Sequence, residues 1–125
     1  MPVGEFNSAE RFQVEEAIRQ AEQVSRFEFS VFVGRSGSEP RVFATQLHNK
    51  LVAPARSVLI MVDPAARVLE IVTGAEVRRH LTDQEVELAT LDMQSSFATG
   101  DLVGGLRRGV QMLAEHAVAP QTLHG

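Results

Sequence analysis

The fold of this chain is predicted by a stretch that begins SVLIMVDPAARVLEIVTG at residues 57–74 and continues to Gly109. Its first seven residues form a nearly unbroken apolar run, which is typical of a strand covered on both faces in the middle of an α/β sheet. Asp63 and Pro64 then suit the first two positions of a turn. Aliphatic residues follow as far as Gly74, so we expect a return strand and an antiparallel hairpin.

Two helices are predicted after the hairpin. Thr82 and Glu85 have the spacing of a capping box, and the helix behind them has apolar residues at Val86, Ala89, Leu91, Met93 and Phe97. Gly100 fits the end of that helix, and Asp101 opens the last one. This helix contains Gly104, Gly105 and Gly109, each less favourable than Ala by about 1 kcal/mol, which indicates close backbone packing against a neighbouring element.

The first half of the chain adds two helices and a strand. Asn7 and Glu10 predict a capped helix with apolar residues at Val14, Ala17, Ile18, Ala21 and Val24. Alternating apolar residues predict a strand from Phe27 to Val33, followed by a flexible RSGSE turn. Pro40 suits the first turn of a second helix, which we expect Pro54 to close and which uses the stripe Val42, Phe43, Gln46, Leu47, Lys50 and Leu51.

The predicted order is therefore α–β–α–β–β–α–α, an α/β layered domain around a small mixed sheet. We place one domain at residues 7–118, with a lead-in at residues 1–6 and a flexible tail at residues 119–125.

Composition excludes several classes of function. The net charge of −4 opposes general nucleic-acid binding, which needs a surplus of basic residues. The absence of cysteine excludes disulfides, thiolate zinc sites and a cysteine nucleophile. No apolar run reaches the ~20 residues that span a bilayer, and the N-terminal MPVGEFNSAE lacks the features of a signal peptide. We therefore expect a cytoplasmic protein without membrane insertion.

The chain resembles the TPM domain family over about residues 6–118. The likeness rests on the order of the two strands around the Asp63 turn, then Thr73-Gly74, Leu81-Thr82-Asp83, Gly100-Asp101 and Gly105-Leu106. It implies a three-layer α/β/α sandwich. Some members of that family are described as acid phosphatases, and some bind divalent cations such as calcium through clustered aspartates. The matching residues here would be Asp63, Asp83 and Asp101, as ligands of Ca²⁺ or Mg²⁺.

Each candidate site residue also has a structural interpretation. Asp63 suits a turn, Asp83 complements a helix dipole, and Asp101 suits an N-cap. His80, with Arg78 and Arg79, could serve as an acid or base beside an anion clamp, although a surface histidine is the simpler interpretation. We interpret His48 in the same way, and Arg107 and Arg108 as a solvated face. Ser36 and Ser38 lack the Gly-x-Ser-x-Gly pattern of a serine hydrolase.

Two hypotheses about function follow. The first is a non-catalytic TPM-like binding or interaction module that acts on a protein partner, and it predicts an exposed apolar or mixed patch. The alternative is a divalent-cation-dependent phosphatase-like hydrolase that uses the three aspartates. Relative to the family pattern, the chain lacks an aspartate ahead of the first helix and has VAPAR in place of a glycine-rich loop at residues 52–56. These differences favour the first hypothesis.

Overall fold

The computed structural model describes residues 6–118. Its elements occur in the predicted order, with α1 at Ser8–Ser25, β1 at Glu28–Val33, α2 at Pro40–Asn49, β2 at Ser57–Asp63, β3 at Val68–Thr73, α3 at Asp83–Ala98 and α4 at Leu102–His116. Short 3₁₀ turns lie at Pro54–Arg56 and Val77–Arg79. The predicted tail at residues 119–125 and all but the last residue of the predicted lead-in lie outside the described residues. Phe6 itself packs against the main core.

The described strands form one mixed sheet in the order β1-β2-β3. β1 runs parallel to β2, and β2 runs antiparallel to β3 from the Asp63–Val68 pair to the Val58–Thr73 pair. The predicted hairpin is thus confirmed. Every residue of β2 is buried, as expected for a strand with helices over both of its faces.

The side chains of β2 divide between two cores. Val58, Ile60 and Val62 belong to the larger one, which they share with residues of α1, α3 and α4. Leu59 and Met61 belong to the smaller one, which lies under α2. This alternation, which follows from the period of a strand, places one helix on one face of the sheet and three on the other. The predicted α/β sandwich is therefore confirmed.

The predicted caps are present in the structure. The Asn7 side chain accepts the Glu10 N–H at 2.8 Å, and the Thr82 side chain accepts the Glu85 N–H at 3.1 Å, each with the reciprocal glutamate contact of a capping box. Asp101 accepts the Gly104 N–H at 2.9 Å at the start of α4. These contacts satisfy N–H groups that have no partner within the helix.

Close packing between α3 and α4 explains the glycines at the buried face of α4. A Cβ atom at Gly109 would lie 2.3 Å from the sulfur of Met93, and one at Gly105 would lie 2.7 Å from the ring of Phe97. The prediction of close backbone approach is confirmed here. Gly104 has a different role, because its Cβ would meet the capping carboxylate of Asp101.

The buried faces of the helices differ in part from the predicted stripes. α2 buries Ala44 and His48 and leaves Val42 exposed, and the helix ends at Asn49, well before Pro54. In α3, Leu91 is 55% exposed. Hydrophobicity alone predicts both stripes, whereas α2 meets the sheet through Ala44, which packs in the smaller core, and His48, which contacts the Ser57 carbonyl.

Candidate functional site at the carboxyl end of the sheet

The carboxyl ends of β1 and β2 lie at the same end of the sheet because the two strands are parallel. The Gly34 N–H donates to the Val62 carbonyl at 2.9 Å, which continues the pairing one residue beyond β1. This contact holds the following loop beside the end of β2 and brings Ser36 next to Asp63. Ligands of open α/β sheets usually bind at the carboxyl ends of the strands.

Asp63 is a buried carboxylate, only 4% exposed. One of its oxygens accepts the Ser36 N–H at 2.9 Å and the Ser36 hydroxyl at 2.8 Å, and the other accepts the Ala66 N–H at 3.2 Å. The backbone hydrogen bond from Ser36, followed by that from its hydroxyl, lowers the pKa of Asp63 below its ordinary value despite burial. Asp63 is therefore ionised at neutral pH, and it ties the loop after β1 to the hairpin turn.

Sequence reasoning missed Ser36, which is only 4% exposed. The RSGSE pattern predicts a flexible turn, and it indicates no role for its serines beyond that of a nucleophile. A usable signal existed, because a serine shortly after one strand and an aspartate at the end of another become neighbours if the strands are parallel. The sequence does not reveal that β1 and β2 are adjacent.

A cleft of about 490 Å³ opens beside Asp63. The hairpin, the last turn of α3 and the start of α4 form its walls, with apolar contributions from Leu69, Phe97 and Leu102 and polar ones from Arg67 and Gln94. Arg67, in the hairpin turn, adopts a left-handed backbone conformation with a φ of 57°. The cleft therefore has a mixed lining, with apolar walls, one arginine, one amide and the edge of a buried carboxylate.

The three aspartates do not converge on this cleft. Asp63 lines the cleft. Asp101 lies in sequence between two residues that line it, but its carboxylate is the N-cap of α4 and lies 3.8 Å from the Arg108 guanidinium. Asp83 begins α3, whereas Phe97 at the other end of α3 lines the cleft. At about 1.5 Å per residue, this separation is roughly 21 Å. Within residues 6–118 no group of three or more His, Cys, Asp or Glu side chains is arranged to hold a metal ion.

His80 and its arginines lie at the opposite end of the sheet. The Arg78 guanidinium donates to the Thr73 carbonyl, so it already contacts backbone at the end of β3. The His80 ring packs against Phe27 with the centroids 5.8 Å apart, and Arg79 is exposed. Arg78, Arg79 and His80 are consecutive in sequence, and none of them lines the cleft.

The interpretation of His48 as a surface histidine is wrong. It is only 5% exposed, and its Nε2 lies 3.0 Å from the carbonyl oxygen of Ser57. The last turn of α2 passes over the first residue of β2, which buries the ring between them. His48 therefore joins two elements of the fold.

No helix within residues 6–118 combines the length and the hydropathy needed to cross a bilayer. Fold and cleft together define a small α/β sandwich domain with a cleft of mixed lining at the carboxyl end of its parallel strands.

The chain belongs to the family described as "Domain of unknown function (DUF5130)", whose model matches residues 3–114. It is 25% identical over 115 residues to the uncharacterised protein MT2543 of Mycobacterium tuberculosis strain CDC 1551, a match that covers 92% of this chain and 68% of the relative. The uncharacterised protein Rv2468c of strain H37Rv matches equally well.

Solved structures share the fold at low sequence identity. The BA42 protein of Bizionia argentinensis superposes with a TM-score of 0.75 at 19% identity, over 90% of this chain and 81% of that one. The N-terminal domain of cg2496 from Corynebacterium glutamicum gives 0.76 at 15%, over 98% and 80%. An N-terminal domain from P. gingivalis gives 0.74 at 19%, over 89% and 75%. At such identities the likeness concerns the fold alone.

Proposed function

We propose that this domain is a TPM-like, non-catalytic binding module that receives an apolar segment of a protein partner in the cleft beside Asp63. The observation that carries the proposal is the mixed lining of the cleft, with Leu69, Phe97 and Leu102 on its walls and Arg67 and Gln94 beside them. Apolar pockets with a small number of polar groups are typical of binding sites.

The state of the carboxylates supports binding over hydrolysis. Both oxygens of Asp63 accept hydrogen bonds from the protein, and Asp101 is used as a helix cap. A cation-dependent hydrolase would need carboxylate oxygens directed at a common ion, with an open position for substrate. The roughly 21 Å along α3 between Asp83 and the cleft opposes that arrangement.

The polar groups at the cleft indicate how a partner would be oriented. Arg67 is exposed at the hairpin turn, and Gln94 is exposed on α3. Together they can donate hydrogen bonds to backbone carbonyls or to a carboxylate of an incoming segment. The apolar walls would then supply affinity and these two groups would fix orientation.

The cleft can be tested with the neutral solvatochromic dye Nile red, followed by fluorescence and by ¹⁵N–¹H NMR. Ala98→Arg places a long side chain in the cleft from an exposed position, whereas Ser95→Arg adds the same group to an exposed position of α3 outside it. We expect saturable binding with amide shifts around Phe97 and Leu102. Ala98→Arg, but not Ser95→Arg, should weaken this binding at least about tenfold, a change of ~1.4 kcal/mol. Equal binding by both variants, or shifts elsewhere, would contradict the proposal.

The protein partner requires a second experiment. A photo-crosslinking amino acid at position 98, compared with the same group at position 95, should give a partner adduct only from the cleft position. Added Nile red should reduce its yield. Adducts that are identical at both positions would place the partner on another surface.

A further inference from the structure

Within residues 6–118, no strand pairs with the outer edge of β3, opposite the edge that pairs with β2. The Gly74 N–H, just after β3, donates inward to the Ser57 carbonyl at 2.9 Å, whereas the Ile71 carbonyl faces outward and accepts from Arg41 at 2.8 Å. In an antiparallel pair the residues alternate between these two orientations. Leu69, Ile71 and Thr73 therefore direct both their N–H and their C=O groups away from the sheet.

Two arginine side chains occupy part of this edge. Arg41 donates to the Ile71 carbonyl and Arg78 to the Thr73 carbonyl, at the positions that N–H groups of a neighbouring strand would take. Proteins usually protect an edge with charged side chains, proline, a bulge or a covering segment. Here the two arginines provide that protection, because β3 reads VLEIVT and pairs with β2 without interruption. The Arg41 side chain is 60% exposed, so it can leave the carbonyl and remain hydrated.

A groove of about 380 Å³ runs along this edge, between Arg41 of α2 and the first half of α3. Its aliphatic surface comes from Leu69, Ile71 and Val86. A neighbouring strand lies about 4.8 Å from its partner, so a single extended segment would follow the edge with alternate side chains directed toward α3. A groove with a wall on each side suits one added strand better than a whole second domain.

The charges along the groove indicate the chemistry of that segment. Asp83 and Glu87 line its α3 wall and are both exposed, and neither forms an ion pair within the part of the chain that the structure describes. Arg41, on the other wall, is 3.2 Å from Glu70, and Arg78 also lines the groove, so three carboxylates face two guanidinium groups. The unpaired carboxylates would attract a lysine or arginine whose methylene groups lie over Val86.

We propose that the outer edge of β3 binds an extended basic peptide segment as a fourth strand. Its N–H groups would replace the two guanidinium groups on the Ile71 and Thr73 carbonyls, its carbonyl would accept the Ile71 N–H, and its basic side chains would face Asp83 and Glu87. This is strand addition, in which main-chain hydrogen bonds give affinity and alternate side chains give specificity. The groove shares Leu69 with the Asp63 cleft, but its other lining residues are its own, and the proposal does not depend on the function assigned to that cleft.

The test uses an end-capped peptide of alternating lysine and valine as the probe, with the whole chain labelled for ¹⁵N–¹H NMR. We expect amide shifts along residues 69–73 and hydrogen exchange at the Ile71 N–H slowed at least about tenfold at saturation. The same peptide with N-methyl groups on its central residues keeps its charge but loses the main-chain donors. Its affinity should fall at least about tenfold.

The carboxylates are tested by the double variant Asp83→Asn with Glu87→Gln, which should weaken the unmethylated peptide at least about fivefold. Glu15→Gln with Glu115→Gln is the matched control, because both residues are exposed and lie on α1 and α4. The control should bind as the unaltered protein does.

Three results would overturn the proposal. The first is equal affinity for the N-methylated peptide or equal loss in the control variant, since binding would then reflect net charge alone. The second is no shift along residues 69–73 at millimolar peptide. The third is protection of the Ile71 N–H that rises with protein concentration together with dimers in sedimentation, which would make a second copy of the chain the occupant.

Discussion

At the scale of single residues, Asp63 makes the contacts on which the carboxyl end of the sheet depends. It accepts hydrogen bonds from both the N–H and the hydroxyl of Ser36 and from the Ala66 N–H. A buried carboxylate without such donors would be strongly unfavourable. The contacts therefore explain how a charged residue can end a strand that is otherwise apolar.

Asp63→Ala should lower the free energy of unfolding by about 2–4 kcal/mol, because it leaves buried donors without an acceptor. Ser36→Ala should cost about 1 kcal/mol, since only the hydroxyl contact is lost. Urea unfolding measures both. Ser38→Ala, at an exposed neighbour, should change stability by no more than about 0.5 kcal/mol. If Asp63→Ala left the free energy of unfolding unchanged, this network would not stabilise the fold.

The dependence of stability on pH has a definite sign. Asp63 has a lowered pKa in the folded protein, mainly because of the Ser36 backbone hydrogen bond, and Glu85 has one mainly because of the Thr82 backbone hydrogen bond. Both stabilise the fold fully above their unfolded-state pKa values, about 3.9 for Asp and 4.3 for Glu. That contribution is lost as the pH falls through the lower folded values.

Urea unfolding between pH 6 and pH 3 should therefore show a loss of stability that is smaller in Asp63→Asn than in the unaltered chain. Asparagine cannot titrate, so only the contribution of Asp63 disappears from the slope, while that of Glu85 persists. Parallel curves for the two proteins would mean that the pKa of Asp63 is the same in the folded and unfolded states.

At the scale of elements, the end of β3 is pressed against the 3₁₀ turn that precedes β2. A Cβ at Gly74 would lie 2.1 Å from the carbonyl oxygen of Pro54 and 2.4 Å from that of Ala55. Backbone hydrogen bonds hold both sides, from Gly74 to Ser57 and from Glu76 to Ala55. Neither side can move without breaking one of these bonds.

Gly74→Ala should consequently destabilise the protein by about 3 kcal/mol, at the upper end of the range for overpacking. Gly100→Ala is the informative comparison, since its Cβ would meet nothing within 4 Å but its φ is 86°. It should cost only about 1–2 kcal/mol, from backbone strain. Thermal or urea unfolding gives the order, and a larger effect at Gly100 would contradict the close contact at Gly74.

The helix starts permit a separate prediction about the aspartates. Asp101→Ala should cost about 1 kcal/mol because it removes a cap, whereas Asp83→Ala removes only an interaction with the helix dipole, worth about 0.3–1 kcal/mol. Urea unfolding of both variants, with and without calcium, measures the difference. If either substitution abolished a calcium-dependent stabilisation, a role in cation binding would replace the capping account.

Local patterns predicted the elements better than the faces that they bury. The capping residues and the turn at Asp63 act within four residues, so the sequence indicated them directly. The inner face of α2, with Ala44 and His48, depends on which strands it crosses. A pattern of hydrophobicity does not specify a partner, and therefore Val42 was assigned to the contact although it is exposed.

At the scale of the whole molecule, the two hypotheses about function differ in their response to divalent cations. We expect thermal unfolding to be unchanged by millimolar calcium, magnesium or manganese relative to a chelator control. A site with a dissociation constant of about 10 µM would instead add about 2.7 kcal/mol at ~100-fold excess and raise the midpoint by several degrees. Such a rise, abolished by replacing Asp63 or Asp101, would favour the hydrolase.

The sequence by itself determined the order of the elements, the hairpin, the helix caps and the α/β class, since these follow from periodicity, turn chemistry and capping within short segments. Only the tertiary structure decided that Ser36 meets Asp63, that Asp83 lies far from the cleft and that no described strand pairs with the outer edge of β3. Each of these depends on which strands and helices become neighbours. That choice is made by long-range packing of two cores on β2, and packing partners are not encoded in any local pattern.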